Sequence, residues 1–282
     1  MKNTAILLID CPDRKGLVAQ VSGLLYSFGA NIIHADQHRD HEASLFFMRV
    51  EWALEGFDVN AFSASFGALA SNLVMNWRLE VSSQTPRIAI FVSHYLHCLN
   101  DLLYRAHSGE LACAIPVVIS NHANGRPMAE FYSVAFHEFA VTKETKDECE
   151  RRQLDLLAEN SIDLIVLARY MQVLSPQFVS KYPSRIINVH HSFLPAFVGA
   201  KPYHQAFQRG VKLIGATSHY VSEVLDDGPI IEQDVIRVSH RDELEDLIEK
   251  GRDLERVVLS RAVRWHLDHR VLGYGNKTVV FD

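Results

Sequence analysis

Residues 188–192 read Asn-Val-His-His-Ser, directly behind the apolar pair Ile186 and Ile187. Polar residues this dense after an apolar run mark a strand end that opens into a site. On an extended backbone residues i and i+2 point the same way, so Asn188 and His190 can reach one ligand together. An amide donor and an imidazole that titrates near neutrality suit a carbonyl oxygen gaining negative charge under attack. A third group should handle protons. The segment EVLDDGPIIEQ supplies Asp226 and Asp227 ahead of Gly228-Pro229, a tight loop before another apolar run. A carboxylate there could accept a proton from a nucleophile or hold His190 as imidazolium; spacing alone does not separate the two neighbours. Each motif taken singly is more often a turn or a core histidine than a site. Ser192 lacks the flanking glycines of a nucleophile elbow. His191, His204 and His219 lack the close spacing and cysteine partners of a zinc site, so no metal is expected.

Positioning such groups is the work of strands and helices. RIAIFVS (87–93), IPVVISNH (115–122), SVAFHEFAV (133–141) and IDLIVLAR (162–169) read as strands, with HCLNDLLYRAHSG (97–109) and KETKDECERRQLDLLAEN (143–160) as helices between them. Apolar strands without simple alternation, separated by helices, predict a doubly wound, mostly parallel sheet. Ligands bind beyond the carboxyl ends of such strands. Three polar clusters follow apolar strands: SNH (120–122), ARYMQ (168–172) and NVHHS (188–192). They place the expected site at one sheet edge, with Asn121 and His122 among its residues.

The first 81 residues have another texture. Strand TAILLIDC, helix LVAQVSGLLYSFG, strands ANIIHADQHRD and SLFFMRVEW, helix FDVNAFSASFGALASNL and strand WRLEVS give the order βαββαβ, a ferredoxin-like unit. SSQTP (82–86) reads as a linker. The expected division is therefore 1–81, linker 82–86, and 87–282.

The totals narrow the class. Of 282 residues, 48% are hydrophobic, enough for real cores, and 34 acidic residues against 28 basic ones with no basic run argue against a nucleic-acid groove. Cys11, Cys98, Cys113 and Cys149 lie far apart, as reduced thiols of a cytoplasmic protein would. No stretch approaches a membrane span or a secretory signal.

INVHHSFLPAF followed by GAKPYHQAFQRGVKLIGATSHYVSEVLDDGPIIEQ resembles the formyltransferase family that uses 10-formyltetrahydrofolate. The matching positions are Asn188, His190, Ser192, Leu194 and Pro195; Gly215, Thr217 and His219; and Asp226, Gly228, Ile230 and Ile231, with Phe193 where the family carries Leu. The resemblance implies Asn188, His190 and Asp226 as the catalytic trio. It implies Met171, Gln172, Val173 and Leu174 as the folate-pocket stretch, with Asn121, His122, His191, Thr217 and His219 also at the substrate. Packing between a strand and a helix is the plainer reading of 171–174.

DCPDRKGLVAQVSGLLYSFGANI resembles an ACT domain, a small-molecule-sensing module. With it, and with no glycine in FVSHYLHCLNDLL to seat a ribonucleotide phosphate, the chain is similar to the hydrolytic branch of the family. That branch turns 10-formyltetrahydrofolate into tetrahydrofolate and formate and needs no further cofactor. The resemblance also implies an amino-acid effector such as glycine or methionine at Asp10, Gly16 and Asn31, or a module that only mediates dimerisation. Either implies a homo-oligomer, a dimer or tetramer, with no nucleic-acid or membrane partner. His191 could position a water. Two other functions remain open at this point: transfer of the formyl group to an amine, and a regulator that senses folate or amino acids without catalysis.

Overall fold

The computed structural model describes residues 3–82, 84–196 and 202–282. Part of the SSQTP stretch and the first residues of the GAKPYH motif lie outside the described residues. The chain forms two compact units.

The first unit runs β1 (Thr4–Pro12), α1 (Leu17–Ser27), β2 (Ile32–Asp40), β3 (Leu45–Ala53), α2 (Val59–Leu73) and β4 (Asn76–Val81). Its sheet has the order β2-β3-β1-β4, all neighbours antiparallel. Alternation puts Ala5, Leu7, Ile9 and Cys11 of β1, and Phe46, Met48, Val50 and Trp52 of β3, against the buried faces of both helices. Asp58 caps α2 by accepting from the backbone N–H groups of Asn60 and Ala61. Phe62 packs at the centre, its ring against those of Phe28, Trp52, Phe57 and Phe66.

Residues 268–272 and 279–282 also belong to this unit, a difference from the expected division that gave 87–282 to one domain. The sheet explains it. Ile6, Leu8 and Phe47 face away from the helices and are buried too, so that face needs a cover. Arg49 on the same face donates to the carbonyls of Asp268 and His269, and Arg78 to that of Val271.

The second unit holds β5 (Arg87–Val92), α3 (His97–His107), β6 (Ala114–Ser120), α4 (Arg126–Phe131), β7 (Ala135–Glu138), α5 (Lys146–Glu159), β8 (Leu164–Ala168), α6 (Pro176–Val179), β9 (Ile186–His190), α7 (Pro202–Arg209), β10 (Leu213–Tyr220), β11 (Ile230–Arg237) and α8 (Leu244–Leu267). A hairpin, β12 (Val271–Tyr274) and β13 (Lys277–Val280), follows. The seven-stranded sheet has the order β11-β10-β9-β8-β5-β6-β7. Its five strands from β9 to β7 are parallel, and β10 is antiparallel to both neighbours. Strand order reverses at β5: β6 lies on one side and β8 on the other. That switch point leaves a crevice beyond the carboxyl ends of β5 and β8, where doubly wound sheets bind ligands. Helix α8 packs across β9, β10 and β11. No described helix is long and apolar enough to cross a membrane.

Phe62→Ala should cost the first unit about 3–5 kcal/mol, the usual cost of emptying a fully packed aromatic site. Chemical denaturation followed by tryptophan fluorescence checks this, since Trp52 touches the deleted ring; an unchanged transition would contradict the packing.

Candidate functional site

Asn188 and His190 stand on β9 at the carboxyl edge of the sheet. Antiparallel pairing sets His219 of β10 directly opposite Asn188, on the same face and within reach. The hydrogen bonds then fix one another. His219 Nδ1 lies 2.9 Å from the carbonyl of Tyr220, and a carbonyl only accepts, so Nδ1 carries the proton. Burial lowers the His219 pKa, and the ring stays neutral. Its Nε2 is therefore an acceptor, and it takes a hydrogen bond from the Asn188 amide at 3.2 Å. Asn188 also lines a cavity, and this bond uses one of its two amide N–H groups.

The loop after β10 brings in Asp226. A Cβ on Gly228 would sit 1.7 Å from the Tyr220 carbonyl oxygen, so only glycine permits this close return of the chain. Tyr220 N–H bonds the Pro229 carbonyl at 2.9 Å and locks the loop. Asp226 itself is left-handed, with φ of 55°, a conformation that costs an ordinary residue energy and gathers at functional sites. Its Oδ2 lies 3.3 Å from His190 Nδ1 and its Oδ1 lies 3.8 Å from His219 Nε2. Hydrogen bonding with His190 outweighs burial and holds the Asp226 pKa below the ordinary carboxylate value. An ionised carboxylate only accepts, so His190 Nδ1 carries a proton and Nε2 remains as its working nitrogen. That Nε2 is buried and has no hydrogen-bond partner among the described residues. Asp227, its neighbour, is exposed and does not line the cavity.

These groups line a cavity of about 520 Å³. Met171, Gln172, Val173 and Leu174 line it too, as do Val224 and Leu225 of the Asp226 loop. The segment after β8 is anchored by Ser175, whose backbone N–H donates to buried Glu150 at 3.0 Å. Met171, like Asp226, is left-handed, with φ of 59°. His191 also lines the cavity. Burial, then the charge of Arg169, lowers its pKa to about 3, so its ring is neutral.

Three expected substrate residues stand elsewhere. Asn121 and His122 follow β6, and neither lines the cavity; the His122 ring stacks on His94 with centroids 3.6 Å apart. β6 is separated from β8 by β5, so its end shares the sheet edge without reaching the crevice wall. Thr217 is fully buried behind the site. Its hydroxyl donates to the Ser192 carbonyl and accepts from Leu194 N–H, at 2.8 and 3.0 Å, so it braces the turn after His191. Ser192 Oγ is used likewise, donating to the Ala196 carbonyl at 2.8 Å. In the first unit, Asp10 accepts from Asn76 at 2.8 Å, and Gly16 is left-handed at the start of α1. Asn31 lies at the other end of the sheet, its carbonyl bonded to Ala53 N–H while Asp10 pairs with Phe47. Six residues of strand separate these levels, about 20 Å at ~3.3 Å per residue. One chain does not bring the three together.

A second group of cavity residues gathers around Arg169 of the ARYMQ cluster, and its other members were not anticipated: Tyr95, His97, Tyr203, Arg252 and Glu255. Glu255 is only 1% exposed. Its Oε2 contacts His97 Nε2 at 2.7 Å, and its Oε1 accepts from Tyr203 at 2.6 Å and Arg169 at 3.5 Å. Burial alone would raise its pKa; the His97 hydrogen bond and the Arg169 charge overcome it and keep the group ionised. The readable signal was an acid on the apolar stripe Leu247, Gly251, Leu254, Val258 of α8. His97, Cys98 and Glu255 also place possible metal-ligand atoms within 4.8 Å. Burial, then Glu255, raises the Cys98 pKa and keeps the thiol protonated, and Arg169 already occupies the carboxylate. This donor set suits a hydrogen-bonded ion network better than a cation.

Residues 86–263 match the formyl transferase family and residues 5–51 the ACT domain family. The formyltetrahydrofolate deformylase of Synechocystis sp. is 54% identical over 280 residues, covering 99% of this chain and 98% of that protein. That of Bacillus subtilis is 50% identical, covering 98% and 93%. The crystal structure of a formyltetrahydrofolate deformylase from Pseudomonas syringae pv. tomato superposes with a TM-score of 0.97 at 48% identity, covering 100% of this chain and 95% of that one. A cavity built on Asn188, His190 and Asp226, in a chain this similar to these proteins from end to end, belongs to a member of the formyltetrahydrofolate deformylase family.

Proposed function

We propose that the chain hydrolyses 10-formyltetrahydrofolate to tetrahydrofolate and formate, with Asn188, His190 and Asp226 as its catalytic residues. The observation that carries this reading is the Asp226 carboxylate 3.3 Å from His190 Nδ1, with Asn188 alongside in one cavity. Met171, Val173, Leu174, Val224 and Leu225 give that cavity an apolar wall suited to a flat heteroaromatic ring, and Gln172 adds a polar group beside it.

In this scheme a water near Asp226 attacks the formyl carbon. The carbonyl oxygen becomes an oxyanion held by the free Asn188 N–H and by His190 Nε2–H. Such donors act strongly because they are aimed before charge develops. While ionised, Asp226 favours the imidazolium form of His190; as the oxyanion forms, it takes up the proton lost by the water. That proton passes on to N10, the C–N10 bond breaks, and the product leaves as formic acid, which ionises to formate. His219 acts through Asn188, whose amide it orients. Neutral His191 offers an acceptor that can align the water. The formyl carbon keeps its oxidation state throughout, so 10-formyltetrahydrofolate enters as substrate and the scheme calls on no further cofactor.

The reaction would refill the tetrahydrofolate pool and supply formate for purine synthesis. The ACT domain fits an amino-acid effector; since Asp10 and Gly16 lie far from Asn31 in one chain, a ligand touching all three needs a facing copy, hence a homo-oligomer. Four free thiols fit a reducing, cytoplasmic setting.

Asp226→Asn should lower formate release from 10-formyltetrahydrofolate, measured in amine-free buffer, by about 10²–10⁴-fold, the usual contribution of general acid–base catalysis. Near-normal turnover would remove Asp226 from its role. A second expectation concerns pH. His191 titrates near 3 when folded against 6.5 for an ordinary histidine. Between those values the unfolded chain binds a proton that the folded chain refuses, so this contribution to stability is complete above pH 6.5 and declines as pH falls. The slope is at most about 1.4 kcal/mol per pH unit. Denaturation midpoints of the parent and His191→Asn, followed downward from pH 7, should converge; curves that stay parallel would contradict the buried neutral ring.

A further inference from the structure

The Arg169–Glu255 network lines the same cavity as the catalytic residues, yet in the hydrolytic scheme no part of it touches the reacting atoms. Each of its parts is unfavourable in isolation. Arg169 directly follows β8 with φ of 64°, where a side chain strains the backbone and glycine would not. It is 8% exposed, and its Nε has no partner among the described residues. Glu255 is a carboxylate buried beneath the cavity, and burying an ion pair gains little stability over apolar packing. Gly251 interrupts the middle of α8, where glycine weakens a helix. Its reason is Tyr203: a Cβ at 251 would lie 2.2 Å from the Tyr203 ring and hydroxyl. The glycine thus seats the phenol that donates to Glu255. The chain maintains three local penalties to hold one guanidinium in one place.

That place adjoins the chemistry. Tyr203 packs against His191 with ring centroids 5.8 Å apart, and His191 against His190 at 5.3 Å. Arg169 lies under the Tyr95 ring, 5.2 Å from its centroid, with its NH1 on Glu255. Met171, Val173 and Arg169 line one cavity; with the heteroaromatic part of the substrate against Met171 and Val173, as in the hydrolytic reading, the Arg169 side is what remains for a second organic reactant.

We propose that Arg169, fixed by Glu255 and Tyr203, is a specificity-determining residue that fills the acceptor side of the cavity and reserves the formyl carbon for water. The inference rests on the hydrolytic reading above. Transfer and hydrolysis share one chemistry: a nucleophile forms a bond to the formyl carbon, the C–N10 bond breaks, and the proton lost by the nucleophile is matched by one gained at N10. They differ only in whether an amine can stand where water does. Arg169 leaves room for water and not for a carbon-bearing amine.

The test turns over 10-formyltetrahydrofolate in the presence of glycinamide, a small primary amine, and measures formate and N-formylglycinamide together by mass spectrometry. The parent chain should give formate with no more than a trace of N-formylglycinamide, which sets the baseline. Arg169→Gly, which suits the left-handed backbone and empties the space, should still release formate and raise the formylated-amine fraction by roughly 10–200-fold, the discrimination typical of one small filled volume. Arg169→Met, which fills the space without the charge, should behave as the parent. If Arg169→Gly does not fold, Arg169→Gly/Glu255→Gln removes the cation and its buried counter-charge together. A folded Arg169→Gly chain that makes formate and no N-formylglycinamide would overturn the proposal. So would a folded variant that has lost hydrolysis, or Arg169→Met transferring as readily as Arg169→Gly. Absence of formate from the parent itself would instead contradict the hydrolytic reading.

Discussion

The contact between the Asp226 carboxylate and His190 Nδ1 is the constraint around which the second unit is arranged. An ionised carboxylate beside a buried imidazole sets which ring nitrogen holds the proton, and so which one is free to work. The same carboxylate lies near His219 Nε2, where acceptor meets acceptor. The conflict is resolved by the Tyr220 carbonyl, which claims the His219 proton, and by the Asn188 amide, which fills the gap. Two histidines a short distance apart are thereby given opposite orientations of donor and acceptor.

Holding that contact explains features that look unrelated along the chain. β10 runs antiparallel against β9, so His219 sits opposite Asn188 and the chain turns back over the site immediately afterwards. Gly228 is the one residue type that fits under the Tyr220 carbonyl, and the left-handed Asp226 aims its carboxylate inward. Thr217 and Ser192 are spent on the turn that follows His191. Arg169, Met171 and Asp226 all line the cavity in left-handed conformations, as expected where local strain is kept for function.

Much of this was legible in the sequence because it is local. The βαββαβ order of the first 81 residues follows from hydrophobic periodicity and turn residues, and the i, i+2 spacing of Asn188 and His190 turns both toward one cavity. What was not legible depends on strand order. Asn121 and His122 end a strand much as His190 does, but β5 lies between β6 and β8, and no local pattern encodes that neighbour. The return of residues 268–272 and 279–282 to the first unit answers to a sheet face more than 200 residues earlier. Glu255 shows the same limit. Its burial is readable from the apolar stripe of α8, while its partners His97, Arg169 and Tyr203 come from three distant segments. Spacing alone likewise did not separate Asp226 from Asp227, since both carry the same chemistry; the family resemblance chose Asp226, and in the structure it is Asp226 that lines the cavity.

The proton arrangement can be observed directly. Nitrogen NMR of the imidazole rings, assigned by comparing the parent with His190→Gln and His219→Gln, reports which ring nitrogens bear protons near neutral pH. His219 should be the neutral tautomer with its proton on Nδ1, and His190 should carry a proton on Nδ1 whether or not Nε2 is also protonated. A His219 protonated at Nε2, or a His190 bare at Nδ1, would contradict the placement of Asp226 as the group that sets the site.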